Sequence, residues 1–253
     1  MKPIYDLNWL TNKFDTGEHL KYIFFWGHTN KTNEEVGKFC FSQWFELPFT
    51  VDDITYRSTE HWMMAHKALM FEDIKTYDKI IAAKSPAEAK KLGREVLNFD
   101  EQVWLAYRYE IVVNGNIHKF NQSPKFAEFL LSTHERILVE ASPTDKIWGI
   151  GMAQSEDGID NPYFWNGLNL LGFALMEARD FLIKHGHFSV SPEPVQPPWK
   201  IYPAIDPMDI FWRMGKGEDT IVAFGNYHNG LSEREKIIFD LTHPAPYGWR
   251  KYL

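Results

Sequence analysis

Leu171, Ala174, Leu175, Ala178 and Leu182 recur at intervals of three and four, an apolar stripe that predicts a helix from Asn169 to His185. Shorter helical periods follow turn signals elsewhere. Ser85-Pro86-Ala87-Glu88 reads as a helix start, with Ser as cap, Pro at the first helical position and Glu placed to bond back to the cap. Further helices are predicted from about Glu101 to Asn114 and from Lys125 to Ser132, the second opened by Ser123-Pro124. The stretch from Phe24 to Tyr56 reads as short strands and turns, in which Phe49-Thr50-Val51 and Ile54-Thr55-Tyr56 form a hairpin about Asp52-Asp53. The pattern is that of a helix-rich α+β domain with a few short strands.

After Gly186 the chain turns to Ser189-Val190-Ser191-Pro192-Glu193-Pro194-Val195-Gln196-Pro197-Pro198, which divides it into a main domain (1–186), a Pro-rich linker (187–206) and a mostly helical appendage (207–253). Asp206-Pro207-Met208-Asp209 and Ser232-Glu233-Arg234-Glu235 read as capped helix starts in that appendage. Its aromatic residues, Phe211, Trp212, Phe224, Tyr227, Phe239 and Trp249, together with Trp199 and Tyr202, predict that it packs on the main domain.

Composition narrows the function classes. The chain has 253 residues, 44% of them hydrophobic, enough for a substantial core. Its apolar runs fall far short of the roughly 18 residues of a membrane span. The first residues, Met1-Lys2-Pro3-Ile4-Tyr5-Asp6, lack a secretory apolar region, so the expected location is cytoplasmic, with no membrane partner. Cys40 is the single cysteine, flanked by Phe39 and Phe41, and reads as a small buried hydrophobe. A net charge of −7 argues against a broad grip on nucleic-acid backbone. Binding of one nucleotide at a time remains open, and ten Trp, eleven Tyr and nineteen Phe supply rings on which a base can stack.

The candidate chemistry sits in Ser58-Thr59-Glu60-His61-Trp62-Met63-Met64-Ala65-His66-Lys67. In a helix, positions seven apart differ by only about 20° around the axis and lie roughly 10 Å apart along it, so Glu60 and Lys67 share a face, with Met63 and Met64 flooring the space between them. The plain alternative is an amphipathic helix with both residues at its polar margin.

The motifs around this helix decide between the two. They are Tyr22-Ile23-Phe24-Phe25-Trp26-Gly27-His28, Phe39-Cys40-Phe41-Ser42-Gln43-Trp44, Ala89-Lys90-Lys91-Leu92-Gly93-Arg94, Lys119-Phe120, Leu138-Val139-Glu140-Ala141-Ser142-Pro143-Thr144-Asp145-Lys146-Ile147-Trp148-Gly149-Ile150-Gly151 and Gly167-Leu168-Asn169-Leu170-Leu171-Gly172. Taken in order, from about Tyr22 to Leu182, the set resembles the NADAR family. The resemblance implies an N-glycosidase, and the expectation is one that works without metal or cofactor. Its substrate would be ADP-ribose on guanine, as a nucleoside or in nucleic acid, or a phosphoribosylamino-pyrimidine intermediate of riboflavin synthesis.

On that reading Glu60, Lys67 and Asp145 are the catalytic candidates. Lys67 either attacks the anomeric carbon and passes through a Schiff base with Glu60 moving protons, or orients the substrate as a cation while Glu60 activates water. Asp145 either binds ribose hydroxyls, orients that pair, or is a turn residue. Arg94 is the candidate phosphate contact, Trp104 and Trp148 are candidates for stacking on the leaving base, and Gly149 lets backbone approach a ligand. Asn169 is a ligand contact or a helix cap, and Gln43 a ligand amide contact. Lys90 and Lys91 read as solvating their helix. Ile150 stands where a bacterial member of the family carries a carboxylate, which tilts the expected substrate toward ADP-ribosylated guanine. His61 and His66 point in different directions from a helix and predict no metal site. A non-catalytic module holding ADP-ribose or a related nucleotide is the rival reading, and the oligomeric state is open.

Overall fold

The computed structural model describes residues 3–30, 33–189 and 195–251. The chain divides into two compact units, Met1–Thr50 with Ile54–Gly186, and His187–Leu253 with Val51–Asp53.

The first unit runs α1 (Leu7–Asp15), β1 (Tyr22–Phe25), a 3-10 turn (Lys38–Phe41), β2 (Phe49–Val51), β3 (Ile54–Tyr56), α2 (Thr59–Met70), α3 (Ile74–Ala82), α4 (Pro86–Gly93), α5 (Glu101–Asn121), α6 (Pro124–Leu131), β4 (Ile137–Glu140) and α7 (Leu170–His185). β1 and β4 pair in parallel, Tyr22 opposite Ile137 and Phe25 opposite Glu140. A parallel pair needs a long crossover, and here everything from the 3-10 turn to α6 lies between the two strands. α7 covers β4, α5 packs on α7 and α2, and α2 packs on α3 and α4.

The helix and hairpin starts follow local signals. Asp52 and Asp53 both adopt positive φ, 52° and 63°, the conformation of the tight hairpin turn that joins β2 to β3. The Ser58 hydroxyl accepts from His61 N to begin α2, and the Ser85 hydroxyl accepts from Glu88 N ahead of Pro86 to begin α4. His61 is tied at both ring nitrogens, to Ser58 Oγ at 2.8 Å and the Ala83 carbonyl at 3.2 Å, whereas His66 packs at a tilt against the Trp62 ring.

α5 is longer than the sequence suggests. Asn114-Gly115-Asn116 looks like a helix end, yet the helix continues to Asn121, and Gly115 serves packing within it: a Cβ there would lie 2.5 Å from the Trp62 ring. The extension places Lys119, 0% exposed, where its ammonium donates to the carbonyls of Cys40 (2.6 Å) and Ser42 (3.0 Å). Burial pulls this amine down to about 8.

In the second unit α8 (Pro198–Ile201), a 3-10 turn (Ile210–Arg213), α9 (Gly215–Gly230) and α10 (Glu233–Thr242) surround Trp199, Trp212, Phe224, Phe239 and Trp249. Ser232 and Glu235 form the reciprocal cap expected at α10. Two expectations are corrected. Asp206 does not start a helix: Asp206 and Asp209 each accept from the backbone two residues on and hold successive tight turns, so the helix begins only at Gly215. Trp199, Tyr202 and Ile205, read as linker, belong to the aromatic core, while residues 190–194 lie outside the described residues. Among the described residues no helix is long and apolar enough to cross a membrane.

Candidate active site

Three elements bring the candidate chemistry together: the first turn of α2, the last turns of α4, and the end of β4 with the loop that follows it.

Glu60 stands in the first turn of α2, where the positive end of the helix dipole favours an anion. Its own N–H donates to the Gln43 carbonyl at 3.1 Å, and Thr59 Oγ1 reaches the same carbonyl at 3.3 Å, so residues 42–44 are fastened to the start of the helix. Lys119 holds that segment from behind through Ser42. The Trp44 side chain is close enough to the Glu60 carboxylate to favour its charged form. Glu60 is nonetheless only 2% exposed, and burial pushes its carboxyl up to about 7; Asp145 adds to the rise, while Lys90, Trp44 and Arg94 oppose it.

The second carboxylate at this place is Glu140, the last residue of β4. Its N–H donates to Asn169 Oδ1 at 3.0 Å, and its carbonyl accepts from Ile150 N at 3.0 Å. Burial pushes its carboxyl up to about 8, with Asp145 and Glu60 raising it further and Lys90 alone opposing. Glu60 Oε1, Glu140 Oε2 and Gln43 Oε1 are buried acceptors without a hydrogen-bond partner. Acceptors left unpaired in a protein interior are costly unless a proton or a donor is supplied.

Asp145 is half-buried, and one of its oxygens accepts from the N–H groups of Ile147 and Trp148, both at 2.8 Å. It is therefore a turn-holding residue and also a charge facing both glutamates. Gly149 proves to be a packing requirement: a Cβ there would lie 2.8 Å from the Glu140 carbonyl and 3.0 Å from that of Asp145. Asn169 has its side chain spent on β4, accepting from Glu140 N and donating to the Leu138 carbonyl at 2.9 Å. It sits in the left-handed region that Asn tolerates, at φ +53°. Ile150 is fully buried.

Lys67 occupies the other end of α2. Its ammonium donates to the Gly93 carbonyl at 2.7 Å and lies 4.1 Å from the Phe99 ring centre and 5.8 Å from that of Trp104. Burial lowers its affinity for the proton, whereas the carbonyl and the ring faces favour the charged form. Met64 fills the wall between the two ends of the helix, packed so closely on Gly93 that a Cβ there would lie 2.0 Å from its sulfur. Arg94, exposed at the end of α4, and half-buried Trp104 and Trp148 stand at the margin.

Three residues outside the sequence-derived set belong here. Lys90 acts on both Glu60 and Glu140 and lies 5.7 Å from the Trp44 ring centre, so it faces the site instead of solvent. Arg108, one turn beyond Trp104 on the exposed half of α5, is half-buried and interacts with Asp145. Glu140 lies within a motif that the sequence singles out, but a carboxylate ending an apolar strand carries no local mark of function. Among the described residues no group of three or more His, Cys, Asp or Glu side chains is arranged to hold a metal ion.

The NADAR domain model matches residues 24–183. An N-glycosidase of Acanthamoeba polyphaga mimivirus, R617, is 42% identical over 166 residues, 63% of this chain and 95% of the viral protein. The N-glycosidase YbiA of Escherichia coli is 30% identical, covering 60% of this chain and 84% of YbiA. A riboflavin biosynthesis protein of Vibrio vulnificus is also 30% identical, over 59% of this chain and 37% of its own length.

Proposed function

The chain belongs to the NADAR family, and from that premise we propose that it is an N-glycosidase, a hydrolase that cleaves the bond between the anomeric carbon of a ribose and a nitrogen. The observation that carries the reading is Glu60: a carboxyl buried beside Glu140 and Asp145, opposed by Lys90 and Arg94, and poised near neutrality. Cleavage of an N-riboside builds positive charge on the sugar and needs a proton moved between water and the leaving nitrogen. The neighbouring carboxylates stabilise the first, and a carboxyl near neutral pKa can take part in the second.

In this reading Glu60 takes the proton of the attacking water, and Lys67 and Arg94 bind the 5′ phosphates as cations. The substrate favoured is ADP-ribosylated guanine. Beyond the carboxylates, Lys67, Phe99 and Trp104 form a second, cationic and aromatic surface two helical turns from Glu60, which suits a pyrophosphate and a second base. The similarity to riboflavin biosynthesis proteins favours a second reading, hydrolysis of phosphoribosylamino-pyrimidines.

Sugar release is measured from both substrates, with ADP-ribose and ribose 5-phosphate as inhibitors and borohydride as a trap. Stronger inhibition by ADP-ribose, release from the modified guanine, shallow salt dependence and no adduct are the expected results. Turnover of the pyrimidine intermediate alone reverses the order of substrates. A borohydride-stable adduct on Lys67 replaces water activation with a Schiff base. Release from neither substrate, with ADP-ribose still bound, turns the protein into a binding module.

A further inference from the structure

We infer that Glu140 is the general acid of this site, protonating the leaving nitrogen as the C1′–N bond breaks while Glu60 accepts the proton of the incoming water. The inference rests on the N-glycosidase reading above and assigns the half of the reaction that reading leaves without a residue.

The two carboxyls occupy unlike settings, and the setting decides which one holds a proton. Glu60 lies at the positive end of the α2 dipole with two cations, Lys90 and Arg94, and the Trp44 side chain favouring its charged form. Each carboxyl has one buried oxygen without a donor, Glu60 Oε1 and Glu140 Oε2, but Glu140 stands at the end of a strand, with Asn169 and Ile150 holding its backbone and no helix terminus behind it. The charged groups facing Glu140 are Glu60 from α2, Lys90 from α4 and Asp145 from the following loop, two of the three negative. Arg108 from α5 is directed to Asp145. One proton shared by the pair therefore resides on Glu140, and the carboxyl pKa values, about 8 for Glu140 and about 7 for Glu60, run in the same order.

The step balances. The Glu140 carboxyl gives its proton to the leaving nitrogen, which keeps the electron pair of the broken C1′–N bond. Water oxygen bonds to C1′ and its proton passes to Glu60. The products are the free hydroxyl sugar and the protonated base, and proton exchange with solvent restores Glu140 as the acid.

The test compares wild type with Glu140→Gln and Glu140→Asp on two substrates of the same sugar, 5′ group and anomeric configuration. One is the N-riboside; the other is a 4-nitrophenyl riboside, whose phenolate departs without a proton. Glu140→Gln is expected to lose about 10²–10⁴-fold in kcat on the N-riboside, with KM within about threefold, and to keep within about fivefold of wild type on the aryl riboside. Glu140→Asp restores part of the lost rate, and the alkaline limb of the wild-type pH profile disappears with the aryl substrate. Equal losses on both substrates in the two folded variants make Glu140 a structural residue and overturn the assignment, as does an unchanged rate on the N-riboside. A wild type that cleaves the aryl riboside but no N-riboside overturns the acid role alone. One that cleaves neither removes the N-glycosidase reading together with it.

Discussion

Where α2, α4 and β4 meet, the first unit buries the Glu60 carboxylate and encloses one oxygen of Glu140, and behind them a lysine; the second unit gathers five aromatic rings into one core and, among its described residues, buries no Asp, Glu, Lys or Arg. Both arrangements exclude water, but they do so at opposite thermodynamic cost. Packed rings gain from dispersion and from the area removed from water. A buried carboxyl loses hydration, regains part of it from neighbouring charges, and keeps the remainder as a raised pKa. Charge burial on this scale is a poor way to hold a fold together and a good way to keep a proton available near neutral pH. The difference separates the unit that carries chemistry from the one that carries packing.

Changing Glu60 to Gln gives the sharpest contrast. The shape is kept and proton transfer is lost, so kcat for sugar release should fall about 10³-fold with the fold intact. Wild-type turnover in a folded Glu60→Gln protein would falsify its role. In the second unit, Phe239→Ala removes a ring that is 3% exposed and should destabilise that unit by about 3–4 kcal/mol in denaturant titrations, with kcat within about twofold. Loss of turnover matching that of Glu60→Gln would erase the division of labour.

A smaller effect lies in the pH dependence of stability. Glu60 and Glu140 have folded pKa values raised above their unfolded ones, so between about 4.5 and 8 the folded state binds more protons than the unfolded chain. Their contribution to stability is largest below pH 4.5 and is lost as pH rises through about 7 and 8. Glu140→Gln should therefore be close to neutral at pH 5 and more stable than wild type at pH 9, by about 2 kcal/mol in urea titrations at the two pH values. An equal change at both would remove the buried charge as its cause. The smallest effect is at the surface: Ser232→Ala removes the reciprocal cap of α10 and should cost about 1 kcal/mol, read as a lowered melting temperature of the second unit.

Local chemistry made much of this legible. Ser58, Ser85 and Ser232 announce the starts of α2, α4 and α10, and Asp52-Asp53 the hairpin, because a cap or a tight turn is a short-range event. Glycines misled where their reason was tertiary. Gly115 reads as a break but makes room for Trp62, and Gly215 with Gly217 conceals the start of α9. Glu60, Asp145 and Arg94 could be picked out as candidates and do sit together, whereas Lys67 is held two turns away among Gly93, Phe99 and Trp104. Glu140 and Lys90 could not be separated from ordinary residues. The β1–β4 pairing that positions Glu140 joins segments far apart in the chain, and a lysine beside Lys91 looks like part of a solvated face until a folded neighbour claims it.

Lys119 gives the molecule a reporter that needs no label built into it. Its amine has no exposed surface and lends its protons to two peptide carbonyls, so an acylating reagent added to the native protein can reach it only when α5 and the Cys40–Ser42 turn part. The rate of its modification, set against that of exposed Lys125, times the opening of the wall on which Gln43 and Trp44 are mounted.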